Sequence, residues 1–254
     1  MNKKTIWITG GSTGIGRALA IRFAKEGWNV AVSARRIELL NELTAANKNI
    51  YSFPLDVTDE EQCKNVFSSI VNKFQNIDIC VFGTGIHDPD SEKVFNLEKI
   101  RKIMEVNFFG VMNCVNCIYN YFTKKKNGQI SIISSVAGYR GLPAAGGYCA
   151  SKSALTSFTE SLHFDMKRKN VNVTLISPGF IKTPMTDKNK FPMPFIRSTN
   201  FAANKIYLGL IKKNNFEIHF PKIFTYMMKI IQILPNWLYF KLINFGNIFM
   251  KRDK

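Results

Sequence analysis

The sequence predicts a doubly wound α/β fold, in which helices cover both faces of a mostly parallel sheet of about seven strands, followed by an amphipathic helical extension. Short apolar runs alternate with longer amphipathic stretches along most of the chain, and this alternation is typical of parallel sheets. A glycine-rich turn joins the first apolar run to the first amphipathic stretch. The 254 residues are 46% hydrophobic and 21% charged, which fits one globular domain with a sizeable core.

Six short apolar runs are predicted to be buried strands, and a seventh run can add one more. In chain order they cover residues 6–9, 30–33, 50–54, 79–82, 130–134 and 173–177, with 216–220 as the seventh. Helical patterns lie between them, for example over residues 15–26, 60–74 and 97–122. The chain has no repeat and no low-complexity linker. We therefore predict one α/β domain over residues 1–221 and an amphipathic tail over residues 222–254.

The composition is strongly basic, with a formal net charge of +17. Such a charge attracts negative partners at long range, namely nucleic acid, an anionic membrane surface or a phosphorylated cofactor. The lysines are dispersed and no zinc-finger or RNA-binding motif occurs, so we predict no nucleic-acid partner. The Met-Asn-Lys-Lys start leads directly into an apolar run. We expect no signal peptide and a cytoplasmic location.

The five cysteines are scattered through apolar or helical stretches. Cys114 and Cys117 form a C-x-x-C inside a predicted helix, without a second cysteine pair or a histidine nearby. Buried packing thiols are the expected interpretation, and a zinc or redox site is the alternative. His87 and His219 have no partners at metal-ligand spacing, so we predict no bound metal.

The glycine-rich turn over residues 9–16 reads Thr-Gly-Gly-Ser-Thr-Gly-Ile-Gly and lies between the first strand and the first helix. Its glycines remove side chains where a pyrophosphate must approach the backbone, and the helix N-terminus supplies free N–H groups and a partial positive charge. A turn in this position predicts a Rossmann-type dinucleotide site. The predicted contacts are Gly10, Ser12, Thr13, Gly14, Ile15 and Gly16.

Arg35 and Arg36 follow the second strand, and neither Ser33 nor Ala34 before them is acidic. A carboxylate at this place binds the ribose 2′-hydroxyl of NAD, whereas arginine accommodates the 2′-phosphate of NADP. We therefore predict NADP(H) as the cofactor, with a solvated basic loop as the alternative.

Tyr148 and Lys152 are four residues apart and share a face if the segment is helical. An ammonium beside a phenol favours the phenolate and lowers its pKa from ~10 toward the working range of a proton donor. Ser135 lies 13 residues upstream of Tyr148. Taken singly, Tyr148 could be a core tyrosine and Ser135 a strand-end cap. Behind a dinucleotide turn, the combination predicts an oxidoreductase.

These residues resemble the short-chain dehydrogenase/reductase family over residues 4 to about 221. The turn matches the family's TGxxxGxG pattern, and Asp56 with Val57 matches its adenine-contacting pair. Pro178, Gly179 and Thr183 match the segment that contacts the nicotinamide after the sixth strand. Gly85 is kept from the Asn-Asn-Ala-Gly that usually follows the fourth strand, but this chain has Phe82-Gly83-Thr84-Gly85. We expect local stability or cofactor geometry to differ there.

The resemblance also implies a mechanism, because Asn107, Ser135, Tyr148 and Lys152 stand where the family has its active-site residues. Tyr148 would donate a proton to a carbonyl oxygen that Ser135 holds in place. Lys152 would lower the tyrosine pKa and bind the nicotinamide ribose, and Asn107 would hold a water linking Lys152 to solvent. A homodimer or tetramer is compatible with the family. A non-catalytic NADP-binding regulator or scaffold is the alternative function.

Two apolar segments bear on the substrate. Residues 184–198 lie where the family has its substrate lid and include several bulky apolar residues, so an apolar, lipid-like carbonyl or alcohol fits; a loop packing on itself is the alternative. In the tail, the longest uncharged run is 11 residues and contains Pro235, short of the ~20 that a spanning helix needs. Two helices flanking Pro235 would suit an anionic membrane surface. The alternative is a tail that covers the substrate pocket or a dimer partner.

Overall fold

The computed structural model describes residues 3–87, 95–212 and 215–249 and arranges them around a seven-stranded parallel sheet. Its strands are β1 Thr5–Thr9, β2 Asn29–Ser33, β3 Ile50–Ser52, β4 Ile79–Phe82, β5 Gln129–Ile133, β6 Asn172–Pro178 and β7 Glu217–Phe220. The order across the sheet is β3-β2-β1-β4-β5-β6-β7, and all neighbours are parallel. The predicted doubly wound fold is confirmed, including the seventh strand.

The helices lie between the strands along the chain and continue beyond the last one. They are α1 Gly14–Lys25, α2 Ile37–Ala45, α3 Glu60–Phe74, α4 Leu97–Met104, α5 Gly110–Lys125, α6 Gly146–Lys167, α7 Thr199–Lys212, α8 Lys222–Ile233 and α9 Asn236–Phe249. The predicted pair of helices around Pro235 is therefore present. The end of the predicted tail, residues 250–254 with Lys251, Arg252 and Lys254, lies outside the described residues.

The helix predicted over residues 97–122 is interrupted by a π turn at Glu105–Phe109 between α4 and α5. The chain stays helical, but the Gly110 N–H bonds to the Glu105 carbonyl, five residues back. Gly110 allows this segment to approach the loop after β3 closely, because a Cβ there would lie 2.5 Å from Val57 Cγ2. The π turn carries Asn107, whose side chain is buried.

The apolar core has two layers because successive side chains of each strand point to opposite faces of the sheet. Ile6 and Ile8 of β1 face the layer under α1 and α7, whereas Trp7 between them faces the layer under α3, α5 and α6. The Trp7 indole N–H donates to Ser33 Oγ at 2.9 Å, which satisfies its one polar group inside the core.

The cysteines of the C-x-x-C lie on α5, as predicted, and contribute to the second core layer. Cys114 is fully buried, with its Sγ 3.9 Å from Cys63 Sγ of α3, and burial raises the pKa of Cys117 to about 11. All these thiols are reduced. Among the described residues, no three His, Cys, Asp or Glu side chains converge as a metal site would require.

Beyond β7, α8 packs its Phe224, Thr225 and Met228 side chains against the domain. α9 is anchored through Tyr239, which is buried. Among the described residues, no helix combines the length and apolar character needed to cross a bilayer.

Candidate active site

The predicted site residues come together in a cleft of about 440 Å³ at the carboxyl ends of the strands. The cleft opens beside β1 and β4, where the strand order of a doubly wound sheet reverses and ligands bind. With the exception of Asn107, every residue predicted for the site lines this cleft. Asn107 lies fully buried behind it.

The glycine-rich turn forms one end of the cleft, with α1 beginning at Gly14. Gly10 has a φ of +71°, a left-handed conformation that favours glycine. A Cβ on Gly16 would lie 2.3 Å from the Gly10 carbonyl oxygen. Side chains are therefore excluded where the backbone must cradle a pyrophosphate, so the turn fits a dinucleotide.

The two arginines after β2 differ in their contacts. The Arg36 guanidinium lies over the glycine-rich turn, and its Nη2 donates to Ser12 Oγ at 3.2 Å and Thr13 Oγ1 at 2.9 Å. Arg35 Nη1 lies 3.8 Å from Asp56 Oδ2, and 59% of the Arg35 side chain is exposed. Arg36 is thus fixed over the glycine-rich turn, whereas Arg35 is held loosely at the rim.

Tyr148 and Lys152 lie on the first two turns of α6 and both face the cleft. Lys152 Nζ is 5.7 Å from the centre of the Tyr148 ring and donates to the Ile133 carbonyl at 3.0 Å. Only 4% of Lys152 is exposed, and burial lowers its pKa to about 8. A phenol and a buried amine are therefore neighbours at the centre of the cleft.

Ser135 follows β5 and begins a 3₁₀ turn over Val136–Gly138. Its Oγ accepts a hydrogen bond from the Ala137 N–H at 3.1 Å, so Ser135 also caps this turn. The hydroxyl keeps its own proton for a second partner. Ser135 lines the same cleft as Tyr148.

The amide of Asn107 connects the π turn to the loop after β4. Its Oδ1 accepts from the Ile86 N–H at 2.7 Å, and its Nδ2 donates to the Ile86 carbonyl at 3.0 Å and to Ser151 Oγ at 3.1 Å. Gly85 separates this amide from the amine, since a Cβ there would lie 3.4 Å from Asn107 Oδ1 and 3.6 Å from Lys152 Nζ. Asn107 therefore braces the loop beside Lys152.

A steric constraint explains why this chain has a glycine at position 83, where the family usually has asparagine. A Cβ at position 83 would lie 2.7 Å from Ile133 Cδ1, so Ile133 occupies the space that a side chain would need. The Gly83 N–H donates to Thr9 Oγ1 at 3.3 Å. A Cβ on Gly10 would lie 2.8 Å from the Gly83 carbonyl oxygen, so this loop and the glycine-rich turn are in close contact.

The structure adds residues that the sequence reasoning missed. The His87 ring lies over the Tyr148 ring, with centroids 4.4 Å apart, and its place two residues after Gly85 was the available signal. Ser134 Oγ donates to the Lys152 carbonyl at 2.8 Å. Thr186 Oγ1 donates to the Ile181 carbonyl at 2.7 Å, which folds the start of residues 184–198 back on the cleft.

Aromatic side chains join residues 184–198 to the tail. The Phe180 ring stacks on Phe224 of α8 with centroids 5.4 Å apart, while Phe191 and Phe195 lie beside these two rings. A Cβ on Gly179 would lie 2.7 Å from Phe224 Cδ1. The inner face of α8 therefore forms an apolar wall next to Pro178 and Gly179.

Comparisons with known proteins agree with this geometry. A sequence model of the family described as short chain dehydrogenase matches residues 4–192. An uncharacterized oxidoreductase of Myxococcus xanthus is 31% identical over 243 residues, which cover 94% of this chain and 96% of the relative. The 3-oxoacyl-[acyl-carrier-protein] reductase FabG of Thermotoga maritima is 33% identical over 189 residues, covering 73% of this chain and 77% of the relative.

Solved structures show the same fold. ElxO with NADP bound is 28% identical, with a TM-score of 0.75, over 85% of this chain and 97% of that structure. A short chain dehydrogenase from Burkholderia cenocepacia in complex with NADP has a TM-score of 0.81 at 22% identity, covering 95% of this chain and 98% of that structure.

Proposed function

The chain belongs to the short-chain dehydrogenase family of oxidoreductases, and on that premise we propose that it interconverts a carbonyl and an alcohol with NADP(H). The observation that carries the proposal is the placement of Lys152 beside Tyr148, with Ser135 in the same cleft as the glycine-rich turn. This set provides a proton donor, a carbonyl anchor and a dinucleotide cradle together.

In the proposed mechanism, NADPH would supply the hydride when bound, and the side chains of the protein would hold the carbonyl oxygen and transfer the proton. Ser135 donates a hydrogen bond to the carbonyl oxygen and fixes its position. Tyr148 transfers its proton to that oxygen as negative charge develops on it. The Lys152 ammonium stabilises the resulting phenolate and is placed to bind ribose hydroxyls.

Asn107 has a supporting role in this proposal. Its amide holds the Ile86 backbone on both sides and bonds to Ser151, whose hydroxyl donates to the Tyr148 carbonyl at 2.8 Å. The amide therefore fixes the loop opposite Lys152 and the first turn of α6. We propose that a water held there links Lys152 to solvent.

The preference for NADP(H) is supported by Arg36. Its guanidinium lies beside Ser12 and Thr13, where a 2′-phosphate can receive a charge-assisted hydrogen bond. ElxO, the relative with NADP bound, has the same overall fold. Asp56 and Val57 line the part of the cleft that would hold the adenine.

The test of the proposed reaction is Tyr148→Phe, which keeps the ring and removes the proton. We expect carbonyl reduction to fall about 10²- to 10⁴-fold, as for loss of a general acid, while NADPH binding measured by fluorescence titration stays unchanged. Undiminished turnover in this variant would overturn the proposal. A wild-type protein that binds NADPH but reduces nothing in a panel of ketones, aldehydes and lipid ketones would favour the non-catalytic regulator.

We propose an apolar substrate, because aromatic rings pack against Gly179, which lines the cleft. Phe180, Phe195 and Phe224 present rings there, and Met185 lines the cleft itself. Activity that rises with the alkyl chain length in a series of ketones would support this, and a preference for short polar ketones would contradict it.

We also propose that the tail associates with the inner, anionic face of a membrane. The outer side of α8 exposes Ile223, Met227, Ile230 and Ile233, one stripe along the helix, and α9 exposes Trp237. Lys241 and the net charge of +17 favour anionic head groups. The inner side of α8 packs against Val136 and Gly179 beside the cleft, so the same helix is also placed to flank the substrate. Co-sedimentation with anionic vesicles measures the association.

A further inference from the structure

The segment that follows the Ser135 turn is in contact with the tail. Ser135 and the 3₁₀ turn Val136–Gly138 lead directly into Tyr139, Arg140 and Gly141. All three residues of this short segment bond to parts of the chain beyond β6. The tail is therefore attached to the loop that carries Ser135.

Arg140 makes most of this attachment. Its Nη1 donates to the backbone carbonyls of Ile231 at 2.9 Å, Gln232 at 3.2 Å and Leu234 at 2.7 Å, and its Nη2 donates to Asn236 Oδ1 at 2.6 Å. The last carbonyls of a helix have no partner within it. A guanidinium, with five N–H donors and a positive charge, matches this end of α8 and its dipole.

Contacts on both sides of Arg140 strengthen the attachment. The guanidinium carbon lies 3.9 Å from the centre of the buried Tyr239 ring of α9, and the Tyr239 hydroxyl donates to the Gly141 carbonyl. The Tyr139 hydroxyl donates to Glu217 Oε1 at 2.5 Å, and Glu217 pairs with Lys229 of α8.

The other side of the same loop rests on α6, next to Tyr148 and Lys152. A Cβ on Gly138 would lie 2.8 Å from the Lys152 carbonyl oxygen, and Ser153 Oγ donates to the Gly138 carbonyl at 2.9 Å. Val136 meanwhile packs against Phe224 and Met228 of α8. The Ser135 loop is thus held between the catalytic helix and the tail.

We propose that Arg140 is a positioning residue for carbonyl reduction, which latches the corner between α8 and α9 onto the loop that carries Ser135. The inference rests on the proposed function, in which Ser135 fixes the substrate oxygen. Without the guanidinium, the carbonyls at the end of α8 lose their partner, and the loop keeps only its contacts through Val136, Tyr139 and Gly141. NADPH binding depends on the glycine-rich turn and Arg36, neither of which Arg140 contacts, so the effect belongs to turnover.

Arg140→Ala is the test, with Arg140→Lys and Arg22→Ala beside it. Arg22 is a matched control, because it makes the same kinds of contact between two other helices, α1 and α7. It donates to Asn204 Oδ1 at 2.8 Å, pairs with Glu26 and lies over the Tyr207 ring. We expect Arg140→Ala to lower kcat for a small soluble ketone on the order of tenfold with the Kd for NADPH unchanged. Arg140→Lys should recover only part of kcat, since an ammonium lacks the planar fork.

Chemical rescue provides a readout that general destabilisation would not move. Millimolar methylguanidinium should restore part of kcat in Arg140→Ala and change nothing in Arg22→Ala. A wild-type kcat in Arg140→Ala would overturn the positioning role. So would a loss of kcat that methylguanidinium does not relieve and that is accompanied by an equal loss of NADPH affinity.

Hydrogen–deuterium exchange tests the attachment between Arg140 and the tail independently of carbonyl reduction. Amides of residues 136–141 should exchange faster in Arg140→Ala than in wild type and Arg22→Ala. Unchanged exchange would overturn the latch even if the enzyme is active. If the proposed function is wrong, by contrast, the Tyr148→Phe variant will turn over substrate at the wild-type rate.

Discussion

At the scale of single residues, Arg36 bears most directly on the choice of cofactor. Its contacts with Ser12 and Thr13 hold the guanidinium against the glycine-rich turn. We expect Arg36→Ala to weaken NADPH binding by roughly 10- to 100-fold, from the loss of about 1.5–3 kcal/mol for a hydrogen bond to a charged group. NADH has no 2′-phosphate, so its Kd should stay unchanged. Isothermal titration of both nucleotides measures the difference.

Arg35→Ala is the neighbouring control for this prediction. Arg35 is largely exposed and lies 3.8 Å from Asp56, so we expect a smaller loss of NADPH affinity. Equal losses for NADPH and NADH in Arg36→Ala would show that this guanidinium supports the turn rather than the phosphate.

The burial of Lys152 predicts how the stability of the protein depends on pH. Burial lowers its pKa from 10.5 to about 8 in the folded protein. Between these two values the unfolded chain binds more protons than the folded one, so the contribution of Lys152 to stability rises as the pH increases. We expect the free energy of unfolding of the cofactor-free protein, relative to Lys152→Met, to rise between about pH 8 and about pH 10. Urea titrations at several pH values measure it, and a constant difference would contradict the burial effect.

At the scale of secondary-structure elements, the π turn between α4 and α5 explains how a fully buried amide reaches the loop after β4. Asn107→Ala leaves the Ile86 N–H and carbonyl without this partner. We expect the free energy of unfolding to fall by about 1–3 kcal/mol, the cost of an unsatisfied buried group. Urea denaturation measures this loss.

Asn113→Ala, on the α5 helix that continues from the π turn, is the control. Its Nδ2 makes one hydrogen bond, to the Val57 carbonyl at 3.0 Å, whereas Asn107 makes three, so we expect a loss of only about 0.5–1.5 kcal/mol. Both variants gain the same helix propensity from alanine. A smaller loss for Asn107→Ala than for Asn113→Ala would contradict the bracing role of Asn107.

The elements also show what the sequence could and could not predict. The inner strands were predictable because a strand buried on both faces is a largely apolar run, a local signal. The edge strand β7 contains Glu217 and His219, so its signal in the sequence is weaker. The π turn was not predictable, since one widened turn hardly changes the apolar periodicity of residues 97–122. The Arg140 latch was not predictable either, because its partner Ile231 lies 91 residues further along the chain.

The same difference between local patterns and long-range contacts applies to the candidate site. The turn over residues 9–16 and the Tyr148–Lys152 pair are local patterns that the sequence shows, and the family resemblance implied that they share one site. The role of Gly83 depends on Ile133 from a neighbouring strand. The ring contact between His87 and Tyr148 likewise joins residues 61 apart, 148 minus 87, and needs the folded sheet.

At the scale of the whole molecule, the net charge of +17 and the exposed apolar stripe of α8 make a joint prediction. Ile233 is 81% exposed, so Ile233→Asp should leave the fold intact and reduce co-sedimentation with anionic vesicles severalfold. Rising salt should weaken the binding of the wild type, because ions screen the attraction between exposed charges.

Leu208→Asp is the matched control, since Leu208 is 49% exposed on α7 and the substitution changes the net charge equally. We expect this variant to bind vesicles like the wild type. Equal binding by Ile233→Asp and Leu208→Asp would reject the tail as the membrane surface.

The two sides of α8 have a consequence for how such a chain can diverge. Phe224 and Met228 pack against Val136 of the loop that carries Ser135, while Ile223, Ile230 and Ile233 face outward from the same twelve-residue helix. Under the proposed roles, substitutions on the inner side would change the surroundings of the substrate, and substitutions on the outer side would change membrane binding. Because the sides alternate within each turn, an inserted or deleted residue would rotate the helix and change both traits in one mutational step, whereas point substitutions can tune each trait separately.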